Sequence, residues 1–211
     1  DDFKFIYDSI VTTSVKEYRD AIENKSPQVF QMMGIITSAK EFMSQMGNPY
    51  VRFNFMDYSG TIELSLFKEK YLKFKPLIDK DYILLIQGQT DYSKTKDEMR
   101  MNIHHIQLVS DVDPLTIYRS IQVDMTPSDL EQGKQQIVSD VLSQFPGKCP
   151  LYFNFYDADE NMTLRMVSRA GLNFTNDVRE MLNDMEVVYT PRLDDRWLVE
   201  RKDESRRFYN S

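Results

Sequence analysis

The sequence predicts a chain of mixed β and α+β class: a five-stranded Greek-key barrel followed by a small α+β domain. Three observations predict it. Between residues 31 and 112, short alternating segments run in the order three strands, one helix, two strands. The stretch "SDVDP" at 110–114 then punctuates the chain. After it come a strand, a long amphipathic helix, a hairpin, a second helix and a final strand.

Residues 1–30 read as a lead-in. "FKFIYDSIV" is rich in aromatic and β-branched residues and is expected as a strand. "SVKEYRDAIENK" is expected as a short helix, with Ser14 as N-cap and Pro27 as its stop. "MMGIITSA" is apolar and β-branched, the first barrel strand, and "FMSQMGNP" is a loop punctuated by Gly47, Asn48 and Pro49. "YVRFNFMD" alternates, so Val51, Phe53 and Phe55 share one face while Tyr50, Arg52 and Asn54 share the other. "GTIELSLF" repeats the pattern with Ile62, Leu64 and Leu66 inward. "KEKYLKFKPLI" breaks the period of two and is expected as a helix stopped by Pro76, with most of Lys68, Lys70, Lys73 and Lys75 toward solvent. "DYILLIQGQT", the polar loop "DYSKTKDE" and "MRMNIHHIQLV" complete the run. A helix between strands three and four is the order of an OB-fold, a small partly open Greek-key barrel.

Residues 113–190 read as the α+β domain. "LTIYRSIQVDM" is a strand. "TPSDLEQGKQQIVSDVLSQF" is expected as one long helix: Thr126 caps it, Pro127 suits the first turn, and Asp129 and Glu131 face the positive end of its dipole. Its apolar stripe is Leu130, Ile137, Val138, Val141, Leu142 and Phe145, weakened locally by Gly133. "LYFNFYDADENMTLRMV" reads as a hairpin, "FTNDVREMLNDM" as a helix capped by Thr175 or Asn176, and "EVVYT" as the last strand. Residues 191–211 hold six Lys and Arg and five Asp and Glu, so they are expected as a mobile tail or an extra helix docked by Trp197.

Composition bounds the function. A length of 211 residues with 41% hydrophobic residues allows one large domain or two small ones. No apolar run reaches the roughly 18 residues that a membrane span needs. No signal-peptide pattern is visible, and a chain starting at Asp1 reads as an excerpt of a longer one. Cys149 is the single cysteine, which excludes an intrachain disulfide and fits a cytoplasmic setting. The net charge of −7 argues against a generic nucleic-acid binder. Yet residues 34–110 hold ten Lys and Arg against nine Asp and Glu, and the remainder holds 16 against 24.

No catalytic, metal or cofactor signature is found. "DADENM" imitates the start of a calcium loop through Asp157, Asp159 and Asn161, but Met162 stands where Gly is needed and Ser168 where Glu is needed. His104 and His105 are neighbours on a strand, point to opposite faces and cannot pinch one ion. Cys149 has no visible base beside it. Asp79 and Asp81 read as solvated loop charges. This stretch of chain is therefore expected to be non-enzymatic.

The binding signal is stronger. An OB barrel engages single strands on the outer face of strands two and three, flanked by the one–two and four–five loops. That places Tyr50, Arg52 and Asn54 on the face, Lys40 and Phe42 in the first loop, Tyr92, Lys94 and Lys96 in the second, and Arg100 just beyond. Lys40, Arg52, Lys94, Lys96 and Arg100 are expected on phosphates, and Tyr50 and Tyr92 on bases. Glu41, Glu63, Asp97 and Glu98 lie among them and repel phosphate, which leaves a plain solvated sheet face as the competing reading.

A family resemblance sharpens this. "GIITSAKEFMSQMGNPYVRFNFMDYSGTIELSLFKEKYLKFKPLI" resembles the OB-fold region near the C-terminus of bacterial DNA polymerase III alpha subunits. Gly34, Ile35, Thr37, Gly47, Asp57, Tyr58, Gly60, Phe67, Tyr71, Leu72, Lys73 and Phe74 carry the match. "FKFIYDSIVTTSVKEYRD" resembles the segment before that OB-fold, and residues 115–190 the domain after it. The resemblance implies a fragment of a replicative polymerase, a DNA-directed DNA polymerase whose catalytic carboxylates lie upstream. It also implies that the OB-fold meets single-stranded template DNA, that the last domain docks the tau subunit of the clamp loader, and that the rest of the polymerase chain is a partner. One departure is the first loop, which keeps only Lys40 where the family places several Lys, Arg and Thr. Two alternatives stay open: a scaffold that touches no DNA, and a free-standing OB-fold that binds RNA or tRNA, since anticodon-binding domains share this sequence type.

Overall fold

A computed structural model describes residues 2–200. The chain divides into two units, one formed by residues up to Ser9 together with Asp113–Leu198, the other containing Ile10–Val112. The first element is a helix, α1 (Asp2–Ile10), where a strand was expected. A strand would put Phe3 and Phe5 on one face. Instead Phe5, Ile6 and Ile10 are buried and Phe3 is exposed. Phe5 packs edge-on against Tyr118, with ring centroids 6.1 Å apart, and tilted against Phe174 at 6.3 Å. Tertiary packing on these rings overrides the local β-propensity.

The barrel unit holds α2 (Val15–Glu23), β1 (Val29–Met43), β2 (Pro49–Asp57), β3 (Gly60–Phe67), α3 (Lys68–Phe74), β4 (Ile83–Ser93) and β5 (Glu98–Leu108). Ser14 caps α2 in a reciprocal box with Glu17. The five strands form one antiparallel sheet in the order β3-β2-β1-β4-β5. The long first strand serves two neighbours: Val29–Ile35 pairs with β4 and Ile35–Met43 with β2, with a register shift between Ile36 and Ser38. At that crossing Gly34 is obligatory, because a Cβ there would meet the Met56 carbonyl oxygen at 2.4 Å. Val51, Phe53, Phe55, Leu64 and Leu66 are buried inward, as the alternation requires. Tyr71 and Phe74 of α3 join the same core, so this helix plugs the barrel. The turn "DYSG" between β2 and β3 is tied to α2. Asp57 Oδ2 accepts from the backbone N–H of Val15 at 2.8 Å, and its Oδ1 accepts from Ser59 and Gly60 within the turn.

The other unit is built on β6 (Tyr118–Met125), β8 (Leu151–Asp157), β9 (Met162–Val167) and β11 (Tyr189–Leu193), in sheet order β11-β6-β8-β9. Strands β6 and β8 are parallel, and the other pairs are antiparallel. Two short strands, β7 (Pro146–Gly147) and β10 (Gly171–Leu172), pair beside it. The expected single helix is two, α4 (Pro127–Glu131) and α5 (Lys134–Gln144), because Gly133 takes a left-handed φ of 75° between them. Helix α6 (Asn176–Asp184) is capped by Thr175. The last strand runs later than "EVVYT" and passes through Pro191, which an edge strand tolerates because one side of its backbone needs no partner. A single 3₁₀ turn, Asp195–Trp197, then buries Trp197. The remainder of the expected tail, residues 201–211, lies outside the described residues. The "DADENM" segment closes the β8–β9 hairpin, with Asp157 Oδ1 accepting from the backbone N–H groups of Asp159 and Glu160. No helix among the described residues is long and apolar enough to cross a membrane.

Candidate nucleic-acid interface

Strand pairing dictates which outward side chains meet. On the outer face of β1, β2 and β3 the rungs are Ser38–Asn54–Glu63, Lys40–Arg52–Ser65 and Phe42–Tyr50–Phe67. Each rung alternates with an inward one, so all nine side chains share one face. Lys40 and Phe42, expected in the first loop, are strand residues, because β1 extends to Met43. The loop proper is residues 44–48.

The aromatic rung is a continuous stack. Phe42 lies on Tyr50 with centroids 5.4 Å apart and planes 21° apart, and Tyr50 lies on Phe67 at 4.8 Å and 22°. Tyr50 is therefore the middle ring, with both faces covered. The Arg52 guanidinium carbon is 5.4 Å from the Phe42 centroid and 5.6 Å from that of Tyr50, and Lys40 Nζ is 5.6 Å from Phe42. These distances hold the two cations against the stack by cation–π attraction. Asn54 donates to Ser38 Oγ at 3.0 Å. Phe67, half exposed at 52%, completes the stack and is missing from the sequence-based set of binding residues. The signal for it was present: with Ile62, Leu64 and Leu66 inward, the same alternation turns Phe67 outward.

The acidic neighbours divide into two kinds. Glu41 pairs with buried Val51 and so turns away from Lys40 and Phe42. It accepts from Tyr71 Oη at 2.9 Å and pairs with Lys75 at 2.8 Å. The Lys75 ammonium and then the Tyr71 hydroxyl hold its carboxyl below the usual range. Glu63 stays on the face, 3.7 Å from Arg52, in an exposed pair of ~0–1 kcal/mol.

The second group sits on the β4–β5 hairpin, which extends beyond the β1 end at Val29, opposite the stack at Phe42. Tyr92 and Arg100 are strand residues, and Lys94 and Lys96 are exposed at its tip. Tyr92 Oη donates to Asp97, and Lys25 pairs with Asp97 at 2.5 Å while lying 5.5 Å from the Tyr92 centroid. Lys25 and then Tyr92 lower the Asp97 carboxyl, and the same hydrogen bond raises the Tyr92 phenol. Arg100 pairs with Glu98 at 3.3 Å. Of the eight sequence-predicted residues, then, Lys40, Tyr50, Arg52 and Asn54 are brought together, while Tyr92, Lys94, Lys96 and Arg100 form a separate hairpin cluster partly neutralised by its own carboxylates.

Cys149 is buried, and burial pushes its thiol up to about 11, so it stays protonated. His104 bonds to Gln89, and exposed His105 to Gln107.

Comparison with known proteins agrees with the barrel. Residues 30–109 match the OB-fold nucleic acid binding domain family. The chain is 20% identical to the DNA polymerase III subunit alpha of Escherichia coli (strain K12) over 176 residues, which is 80% of this chain and 15% of that protein. It is 24% identical to the same subunit of Haemophilus influenzae over 121 residues, 55% of this chain and 10% of that protein. The chain thus spans a small part of the curated relatives it matches. Among solved structures, yeast Stn1 and Ten1 align over 38% of this chain and 42% of that one at 20% identity and a TM-score of 0.30. The second OB-fold domain of replication protein A from Methanococcus maripaludis aligns over 41% and 88%, at 15% identity and a TM-score of 0.29.

Proposed function

We propose that this chain, whose barrel is an OB-fold nucleic acid binding domain similar to part of DNA polymerase III alpha subunits, binds single-stranded DNA on the outer face of β1, β2 and β3. The observation that carries this reading is the aromatic stack Phe42–Tyr50–Phe67 flanked by Lys40 and Arg52. A single strand offers flat base faces and a line of phosphates, and a sheet face with rings and cations in register matches both. Lys94 and Lys96 on the hairpin extend the path of the backbone. The scaffold alternative loses ground here, because a face that only packs against protein does not need two exposed cations held over its rings. The RNA-binding alternative uses the same face, so an RNA strand belongs in the same titration.

The parent polymerase supplies the context. Its catalytic carboxylates lie elsewhere, and this region, working in the cytoplasm, positions the template strand. Docking of the tau subunit is assigned to the α+β unit. That unit is acidic, with eight Lys and Arg against 14 Asp and Glu over residues 113–198. An apolar groove of about 500 Å³ opens on it, lined by Met125, Leu142, Phe153, Phe155, Leu164 and Met166 among others. Its edge strand β9 is exposed along its whole length.

Fluorescence anisotropy of labelled single-stranded DNA, titrated with the wild type and with Arg52→Glu at two salt concentrations, tests the first assignment. Binding that weakens with salt and falls at least tenfold in the variant is expected. No binding at low salt would leave the scaffold reading. Calorimetric titration of tau with Leu164→Asp tests the second, with loss of heat expected in the variant alone.

A further inference from the structure

The stack has one open end. Tyr50 has both faces covered, and Phe42 carries Lys40 and Arg52. Among the described residues no cation covers Phe67, which lines a concavity of about 370 Å³ between the β1–β2 loop and the start of α3. That volume is at the low end of small-molecule pockets, which run from roughly 300 to 1,000 Å³. The lining is mostly apolar and comes from Phe67, Pro49 and Met46 together with Ser44, Gln45, Asn48 and Lys68. Neither side-chain amide has a hydrogen-bond partner among the described residues. Met46 is 89% exposed, so its flexible thioether is free to fold over an occupant.

The loop wall is preformed. Ser44 N–H bonds to the Asn48 carbonyl at 2.9 Å, Asn48 N–H to Ser44 Oγ at 3.0 Å, and Gly47 N–H to the Ser44 carbonyl at 2.9 Å. Gly47 supplies the left-handed φ of 75° that this turn demands. Lys68, at the opposite wall, holds a left-handed φ of 52°.

Resting on the reading of the barrel as a single-strand platform, we infer that this concavity is a pocket for one unpaired nucleobase. The base extends the three-ring stack on the outer face of Phe67. Its polar edge meets the amides of Asn48 and Gln45, and Lys68 takes the adjoining phosphate. The pocket would make the strand turn in at the β3–α3 corner. Asparagine and glutamine amides carry a donor and an acceptor side by side, so the pocket reads the hydrogen-bonding edge of a base as well as its flat face.

The test uses the full chain and a short oligothymidylate carrying 2-aminopurine, scanned one position at a time, with total binding followed by anisotropy. In the wild type one position is expected to be strongly quenched on binding, since stacking quenches this base. Phe67→Leu should restore its fluorescence and weaken binding by about 5- to 150-fold, the range for one base–aromatic stack. Phe67→Trp should keep both the quench and the affinity, which rules out a folding defect at this site. Asn48→Ala should relax the preference among bases placed at the quenched position. Arg52-dependent binding with a quench unchanged in Phe67→Leu would overturn the pocket and leave the platform intact. Failure of the wild type to bind the oligonucleotide would overturn both.

Discussion

Asp57 shows how much one side chain can organise. It accepts four hydrogen bonds, three closing the β2–β3 turn and one holding the first turn of α2. Bonds to a carboxylate are worth more than neutral ones. Asp57→Ala should therefore lower stability by about 2–3 kcal/mol in urea unfolding, more than a turn residue normally costs. Asp129 gives a pH signature. Its carboxyl is lowered to about 2, first by the hydrogen bond from Lys134 and then by Thr126. A depressed folded value stabilises above the unfolded value near 3.9 and is lost as pH falls through about 2. Asp129→Asn should thus cost ~1 kcal/mol at neutral pH, with the gap to wild type closing between about pH 4 and pH 2 in thermal melts. Single residues were unevenly legible. The outward turn of Phe67 was written in the alternation. The withdrawal of Glu41 from the outer sheet face was not, because its partners Tyr71 and Lys75 lie 30 and more positions away. Glu63 does remain on the face beside Arg52, so Glu63→Gln should raise single-strand affinity a few-fold by anisotropy at low salt.

Elements were legible where a period was unopposed. The alternation in β2 and β3 predicted their inward and outward sets, and the loss of alternation marked α3. Three elements escaped for physical reasons. In α1 the aromatics satisfy a period of two by coincidence, and only packing on Tyr118 and Phe174 selects a helix. In the α4–α5 pair, glycine looked like a weak point but is a break. The sign of Gly133→Ala separates the two: a continuous helix would gain up to ~1 kcal/mol, whereas the left-handed φ of 75° predicts a loss of about 1–2 kcal/mol by chemical denaturation. In β1 the strand runs on through Lys40 and Phe42, because β2 offers a partner for every residue from Ser38 to Met43. This extension converts two expected loop residues into members of an ordered ladder.

At the scale of the whole molecule, the charge distribution was the most informative sequence feature. A nearly neutral barrel region sits in an otherwise acidic chain. In the structure most barrel carboxylates near the cations are spoken for: Glu41 by Lys75, Asp97 by Lys25 and Glu98 by Arg100. What the sequence could not show is that residues up to Ser9 belong with the C-terminal unit, since that depends on contacts more than 100 residues apart. The central claim is that Arg52 and Lys40 hold phosphates over the aromatic stack. The most direct test is the slope of log affinity against log salt for single-stranded DNA, compared among wild type, Arg52→Ala and Lys75→Ala. Each phosphate contact on a single strand contributes about −0.7 to that slope. The account predicts a slope shallower by about 0.7 in Arg52→Ala and unchanged in Lys75→Ala, whose ammonium is committed to Glu41. Equal slopes in all three proteins would contradict it.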